Sequence, residues 1–207
     1  MTDSAPTTRD RRREETSRAL ARAARLATAE HGLAGFTIED LCEAADVSRR
    51  TFFNYFASKE DAVLGIPLNR GDEEAVATFL AGGEASGALS PTLLTQLAEL
   101  AEARWRVLDL APETVVDLIA AVTREPRLIG KMLEHGVRDE RADAELVARR
   151  EGLEPGDIRA EVAAQLVGAL CRGATGEFVS PGTTESFTDI FARRIGAAAD
   201  LFASSVR

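Results

Sequence analysis

The sequence predicts an all-α protein of about nine helices, and three observations carry that prediction. Aromatic residues are only 5% of a chain that is 45% apolar, so alanine, leucine and valine must do the packing. Alanine is the best helix former, whereas strands favour β-branched and aromatic residues. Apolar residues recur at three- and four-residue spacing, and no segment alternates as a half-buried strand would. Glycines, prolines and capping residues fall where such helices would start and stop. A length of 207 residues fits one or two domains. The expected division is 1–59, a terminal arm and a three-helix domain, followed by a helical domain over 60–207.

Residues 1–9 are short, polar and interrupted by Pro6, so they read as disordered. A first helix is expected over 11–31, with Leu20, Ala23, Ala24 and Ala27 on one face. Gly32 can supply its left-handed stop, and His31 suits the last turn, where a cation meets the helix dipole. Thr37 is a good N-cap with Asp40 three residues on. Ile38, Leu41, Cys42 and Ala45 would form the inner face of a short helix. Asp46 sits at the turn, because Asp tolerates the left-handed region, and Val47 plugs it. Ser48 caps a second short helix over 49–56, and Ser58, with Asp61, caps a third start. A long helix is expected over 59–80, then a loop over 81–87. Pro91, Pro112 and Pro126 each suit the first turn of a helix, over 91–107, 112–124 and 126–150. After a break at Gly152–Gly156, helices are expected over 157–176 and 184–204, separated by the turn at 180–183.

Composition narrows the function classes. No stretch approaches the ~20 apolar residues of a membrane span, and the arginine-rich start has no apolar core like a secretory signal. Both point to the cytoplasm and to no membrane partner. Cys42 and Cys171 lie far apart in apolar patterns, read as reduced thiols, and no metal-ligand spacing exists, so no metal or cofactor is expected. The net charge of −9 is uneven. Residues 1–59 carry ten Lys/Arg against nine Asp/Glu, whereas 60–207 carry fifteen against twenty-five. Arg9, Arg11, Arg12 and Arg13 cluster ahead of the first helix, and Arg49 and Arg50 stand together. Screening confines the relevant field to about 10 Å, so a local basic footprint is compatible with nucleic acid.

Two short helices joined by a tight turn have the dimensions of a DNA-reading helix-turn-helix, whose second helix faces base edges with its N-terminal residues. Arg49 and Arg50 could each pair bidentately with guanine. Thr51 and Tyr55, one turn apart, could hold phosphates, and Lys59 adds a charge near another. The plainer alternative is that the arginine pair is an ordinary solvated helix face.

The segment from Gly35 to Asp61 resembles the DNA-binding domain of the tetracycline-repressor (TetR) family. The run Val47-Ser48-Arg49-Arg50-Thr51-Phe52-Phe53-Asn54-Tyr55-Phe56-Ala57-Ser58-Lys59-Glu60 carries the resemblance. It implies phosphate contacts from Thr37, Thr51, Tyr55 and Lys59. It implies that Ser48, Arg49 and Arg50 lie at or in the major groove, and that Leu41, Val47, Phe52 and Phe56 form the small core. Two positions depart from the family pattern. Phe53 stands where many members have tyrosine, which removes a hydroxyl and with it a phosphate contact. Asp46 stands where glycine is common, placing a negative charge at the groove entrance. The arginines at 9–13 would compensate as a flexible arm.

Beyond residue 60 the resemblance rests on length and helical pattern. Val162, Leu166, Ala169, Leu170, Gly173 and Ala174 make one apolar face, and Phe187, Ile190, Phe191, Ile195, Ala198, Leu201 and Phe202 another. They could pair two subunits as a four-helix interface, with Leu166, Leu170, Phe187, Phe191, Ile195 and Phe202 as its expected contacts, or pack within one. The resemblance favours the homodimer. It also implies an effector pocket, with Leu94, Leu97, Trp105, Leu118, Val122, Met132 and His135 as candidate lining. That composition suits a hydrophobic or amphipathic small molecule, and the 118–178 region also resembles a subgroup that includes regulators of acyl-CoA-responsive systems.

The expected function is therefore a ligand-responsive, sequence-specific DNA-binding regulator, read as a repressor released from a palindromic double-stranded operator. An activator or a nonspecific architectural DNA-binding protein remains the alternative. An enzyme has no support, since no nucleophile–base pairing, metal cluster or phosphate loop is present.

Overall fold

The computed structural model describes residues 8–108, 110, 112–180 and 182–205, the side chains of 8–11, 112, 113 and 205 excepted. Of the disorder expected over 1–9, residues 1–7 and the side chains of Arg9 and Arg11 lie outside the described residues, whereas the backbone is already helical from Thr8, so the arginines at 9–13 continue the first helix instead of forming a flexible arm. Among those described there are ten α-helices and no strand. They are α1 (Thr8–His31), α2 (Ile38–Ala44), α3 (Arg49–Tyr55), α4 (Lys59–Leu64), α5 (Glu73–Ala81), α6 (Leu93–Val107), α7 (Pro112–Arg124), α8 (Arg127–Glu151), α9 (Ile158–Phe178) and α10 (Phe187–Ser205). The extra helix comes from 59–80, expected as one helix and found as α4 and α5. Gly65 ends α4 at φ +72°, and Pro67 follows it. Proline removes a backbone donor and clashes with the preceding turn, which reinforces the break that left-handed Gly65 makes.

The chain forms two compact units. The first comprises Met1–Arg70 and Val107–Met132. Its core is built from Leu20 and Ala24 of α1, Leu41 of α2, Phe52 of α3, Phe56, Val63 of α4, Leu118 and Ala121 of α7, and Leu128. As the 11–31 pattern predicts, α1 buries its Leu20–Ala24 face, and it packs on α4 and α7. Arg25 is buried at 2% exposure, yet its guanidinium is satisfied: Nε donates to Val63 O at 3.0 Å and Nη2 to Leu108 O at 3.3 Å. The Glu125 carboxylate accepts the Leu33 N–H at 2.8 Å, tying the end of α7 to the loop after α1. Buried polar groups of this kind persist only when hydrogen-bonded.

The second unit comprises Gly71–Arg106 and Leu133–Arg207. Its core gathers Phe79, Leu93, Leu97, Leu100, Val147, Val167, Phe187, Ile190 and Phe191. Trp105 stacks on Phe187 with centroids 3.7 Å apart and meets Phe178 edge-on at 5.7 Å. Arg150, at 2% exposure, is a second buried guanidinium. It donates to Phe79 O at 2.9 Å, Gly82 O at 3.0 Å and Ser90 Oγ at 2.7 Å, and it pairs with Glu151 and Gln96. Glu151 in turn accepts the Ser90 N–H at 2.9 Å, so the loop between α5 and α6 is fixed by side chains from the end of α8. No helix of the described residues is long and apolar enough to cross a membrane.

Candidate nucleic-acid interface

Three capped helix starts build the first unit's exposed face. Thr37 is the N-cap of α2, with φ −105° and ψ 169°, and the expected capping box is complete. Its Oγ1 accepts the Asp40 N–H at 3.2 Å, while Asp40 Oδ2 accepts the Thr37 N–H at 2.7 Å and its hydroxyl at 2.8 Å. These bonds to Thr37, backbone first, hold the Asp40 carboxyl below its usual pKa of 3.8. Ser48 caps α3 by accepting the Thr51 N–H at 3.0 Å, and its hydroxyl shares a 2.8 Å bond with that of Thr51. Ser58 caps α4 by accepting the Asp61 N–H at 3.1 Å.

The turn between α2 and α3 is closed by Val47 N–H donating to Cys42 O at 2.9 Å. Asp46 takes φ +51°, in the left-handed region its short polar side chain tolerates. This geometry rolls α3 so that Phe52 is fully buried, with Phe56 beside it, while Arg49, Arg50, Phe53 and Asn54 face outward. Leu41, Phe52 and Phe56 are buried and Val47 packs against them.

The seven residues expected at DNA therefore divide. Thr37, Ser48, Arg49 and Arg50 are exposed, and Thr51, Tyr55 and Lys59 are half-buried. The Arg50 side chain has no hydrogen-bond or ionic partner among the described residues. Arg49 Nη1 pairs with the Glu39 carboxylate, and its guanidinium lies 5.5 Å from the Phe53 ring centroid. Lys59 Nζ donates to Phe36 O at 2.8 Å and Leu33 O at 2.5 Å, and sits 4.7 Å from the Phe36 ring centroid. Neither the Glu39–Arg49 pair nor the Lys59 anchorage was read from the sequence. Each joins residues ten or more positions apart across a turn, where helical periodicity carries no signal.

The residues expected to line an effector pocket separate between the units. Leu118 and Val122 belong to the first unit's core and Met132 also lies in that unit, while Leu94, Leu97, Trp105 and His135 belong to the second. An open cleft of about 370 Å³ in the second unit is bordered by Glu74, Thr78, Phe79, Gln96, Glu99 and Leu100, and by none of the seven. Of the residues expected to pair two subunits, Phe187 and Phe191 are 3% and 2% exposed, inside the core of the single chain. Leu170 and Ile195 pack at that core's edge and Leu166 is half-buried, whereas Phe202 is 51% exposed, beside Leu201 at 65%.

Two short capped helices around a left-handed turn, with paired arginines at the exposed start of the second, define a helix-turn-helix DNA-binding protein. Residues 16–64 match the family described as bacterial regulatory proteins, tetR family. The chain is 31% identical over 161 residues to the HTH-type transcriptional regulator TcmR of Streptomyces glaucescens, covering 75% of this chain and 69% of that protein. A crystal structure described as a TetR-family transcriptional regulator, from Mesorhizobium loti, is 22% identical, with 93% of this chain and 97% of that one covered and a TM-score of 0.45. The chain belongs to the TetR family: it is a DNA-binding transcriptional regulator.

Proposed function

We propose that the protein is a dimeric, ligand-responsive repressor that reads a palindromic operator with α3. The observation that carries this reading is the outward-facing basic start of α3, above a fully buried Phe52. Residues 1–59 would form the arm and DNA-binding domain, and 60–207 the effector-binding and dimerisation domain. Arg49 and Arg50 would meet base edges beside Ser48. Thr37, Thr51, Tyr55 and Lys59 would neutralise or bond phosphates. In a dimer, the two α3 helices would enter successive major grooves about 34–36 Å apart. Exposed Leu201 and Phe202 support an interface on the α10 side, continuing to Leu166, Leu170 and Ile195. A hydrophobic or amphipathic effector would release DNA to the extent that it binds one arrangement of the dimer better than the other.

The test is DNA binding by Arg49→Ala and Arg50→Ala on a duplex enriched by the wild-type chain from a random pool. Each substitution is expected to cost about 1–3 kcal/mol and to relax base preference at its own position. Unchanged affinity and preference in both would refute the base-reading assignment.

A further inference from the structure

We infer that Glu39 is a positioning residue for DNA specificity, acting through Arg49. The inference rests on the proposed base-reading role of Arg49. Arg49 and Arg50 are neighbours of the same chemistry, yet only Arg49 is held. Glu39, in the first turn of α2, reaches across the helix-turn-helix and takes Arg49 Nη1. Phe53, one turn along α3, lies under the same guanidinium at 5.5 Å. The Nε–H and the Nη2 group have no partner among the described residues, and the Arg49 side chain is 62% exposed. Those two groups form the side-on fork whose parallel donors match the O6 and N7 acceptors of guanine.

The arrangement separates two kinds of contact. A free arginine meets any phosphate as a mobile cation, and each such contact adds sequence-independent affinity. An arginine paired with a carboxylate has little net charge to offer a phosphate. Its planar fork, however, is already oriented, so less side-chain freedom is lost when it meets a matching base. Glu39 therefore lowers nonspecific affinity and supports the matched contact. Phe53 has a part in the same device: its ring face supports the guanidinium.

The experiment is a double-mutant cycle with the full chain, using Glu39→Gln, Arg49→Ala and the double variant. Binding is measured on the enriched duplex and on a random duplex across a potassium chloride series, with melting curves to verify folding. Glu39→Gln is expected to weaken the enriched duplex roughly up to fivefold, the ceiling set by an exposed ion pair. It should tighten the random duplex and steepen its salt dependence by about one ion. Both effects should vanish in the Arg49→Ala background, and a repeated selection with Glu39→Gln should blur the preference at the Arg49 position alone. Phe53→Leu, which keeps apolar bulk but removes the ring face, should move the enriched duplex in the same direction. Equal effects of Glu39→Gln with and without Arg49, whether gain or loss, would overturn the inference and leave Glu39 a plain source of repulsion. If Arg49→Ala itself changes neither affinity nor preference, the base-reading role fails instead.

Discussion

Hydroxyls expected at DNA already have work inside the free protein. Thr37 and Ser48 cap α2 and α3, and the Thr51 hydroxyl is bonded to that of Ser48. A cap is worth about 0.5–2 kcal/mol, so substituting these residues tests folding together with DNA contact. Lys59 has the same double character, since two carbonyl oxygens of the α1–α2 loop bind its ammonium. Arg49 and Arg50, which cap nothing, are the cleaner probes. A single-residue prediction concerns Asp157, the N-cap of α9. Its side chain accepts hydrogen bonds first from the Arg159 side chain and then from the Arg159 N–H, which lowers its pKa from 3.8 to about 2. A carboxyl whose folded pKa is depressed stabilises the fold above its unfolded pKa and loses that contribution as pH falls through the folded value. Asp157→Asn keeps the cap bond but removes the charge. Urea unfolding should show the variant less stable at neutral pH, with the gap closing between pH ~4 and ~2. A gap undiminished at pH 2 would contradict the assigned cause.

At the level of elements, the short helices were legible and the break after α4 was not anticipated. Each cap at Thr37, Ser48 and Ser58 is a local signal, because the accepting oxygen and the donated N–H lie three residues apart. The left-handed Asp46 was equally local. The expectation of one helix over 59–80 fails at Gly65 and Pro67, which carry the opposite signal. What the sequence could not display is the reason for glycine at 65. A Cβ there would lie 2.7 Å from Nη2 of buried Arg25, a contact between residues forty positions apart. Gly71 offers a comparison: its φ is +66° against +72° for Gly65, but a Cβ would meet nothing within 4 Å. Gly71→Ala is expected to cost about 1–2 kcal/mol, from the left-handed backbone alone. Gly65→Ala should cost more, at the upper end of or beyond the 1–3 kcal/mol of ordinary strain. Equal losses in thermal unfolding would remove the Arg25 contact from the account.

Across the whole molecule, chemistry and packing are distributed differently. The acidic balance beyond residue 59 and the basic pair at 49–50 were visible in the sequence and suit a protein whose DNA contacts are confined to one face. The use of the apolar faces was not visible. Phe187 and Phe191 have the spacing of a pairing surface, but they complete an aromatic cluster with Trp105 and Phe178 within the one chain. Helical periodicity says which side of a helix is apolar; it does not say whether the same chain or a second copy covers it. For the same reason Leu118 and Leu97, alike in the sequence, enter the cores of different units. The central claim, that this chain reads DNA sequence as a symmetric dimer through α3, is tested most directly by selecting duplexes from a random pool with the full protein and footprinting the winners. The expected result is an inverted repeat with half-site centres about 10–10.5 base pairs apart, or a multiple of that spacing. Equal, salt-sensitive binding to every duplex with no enriched sequence would contradict it.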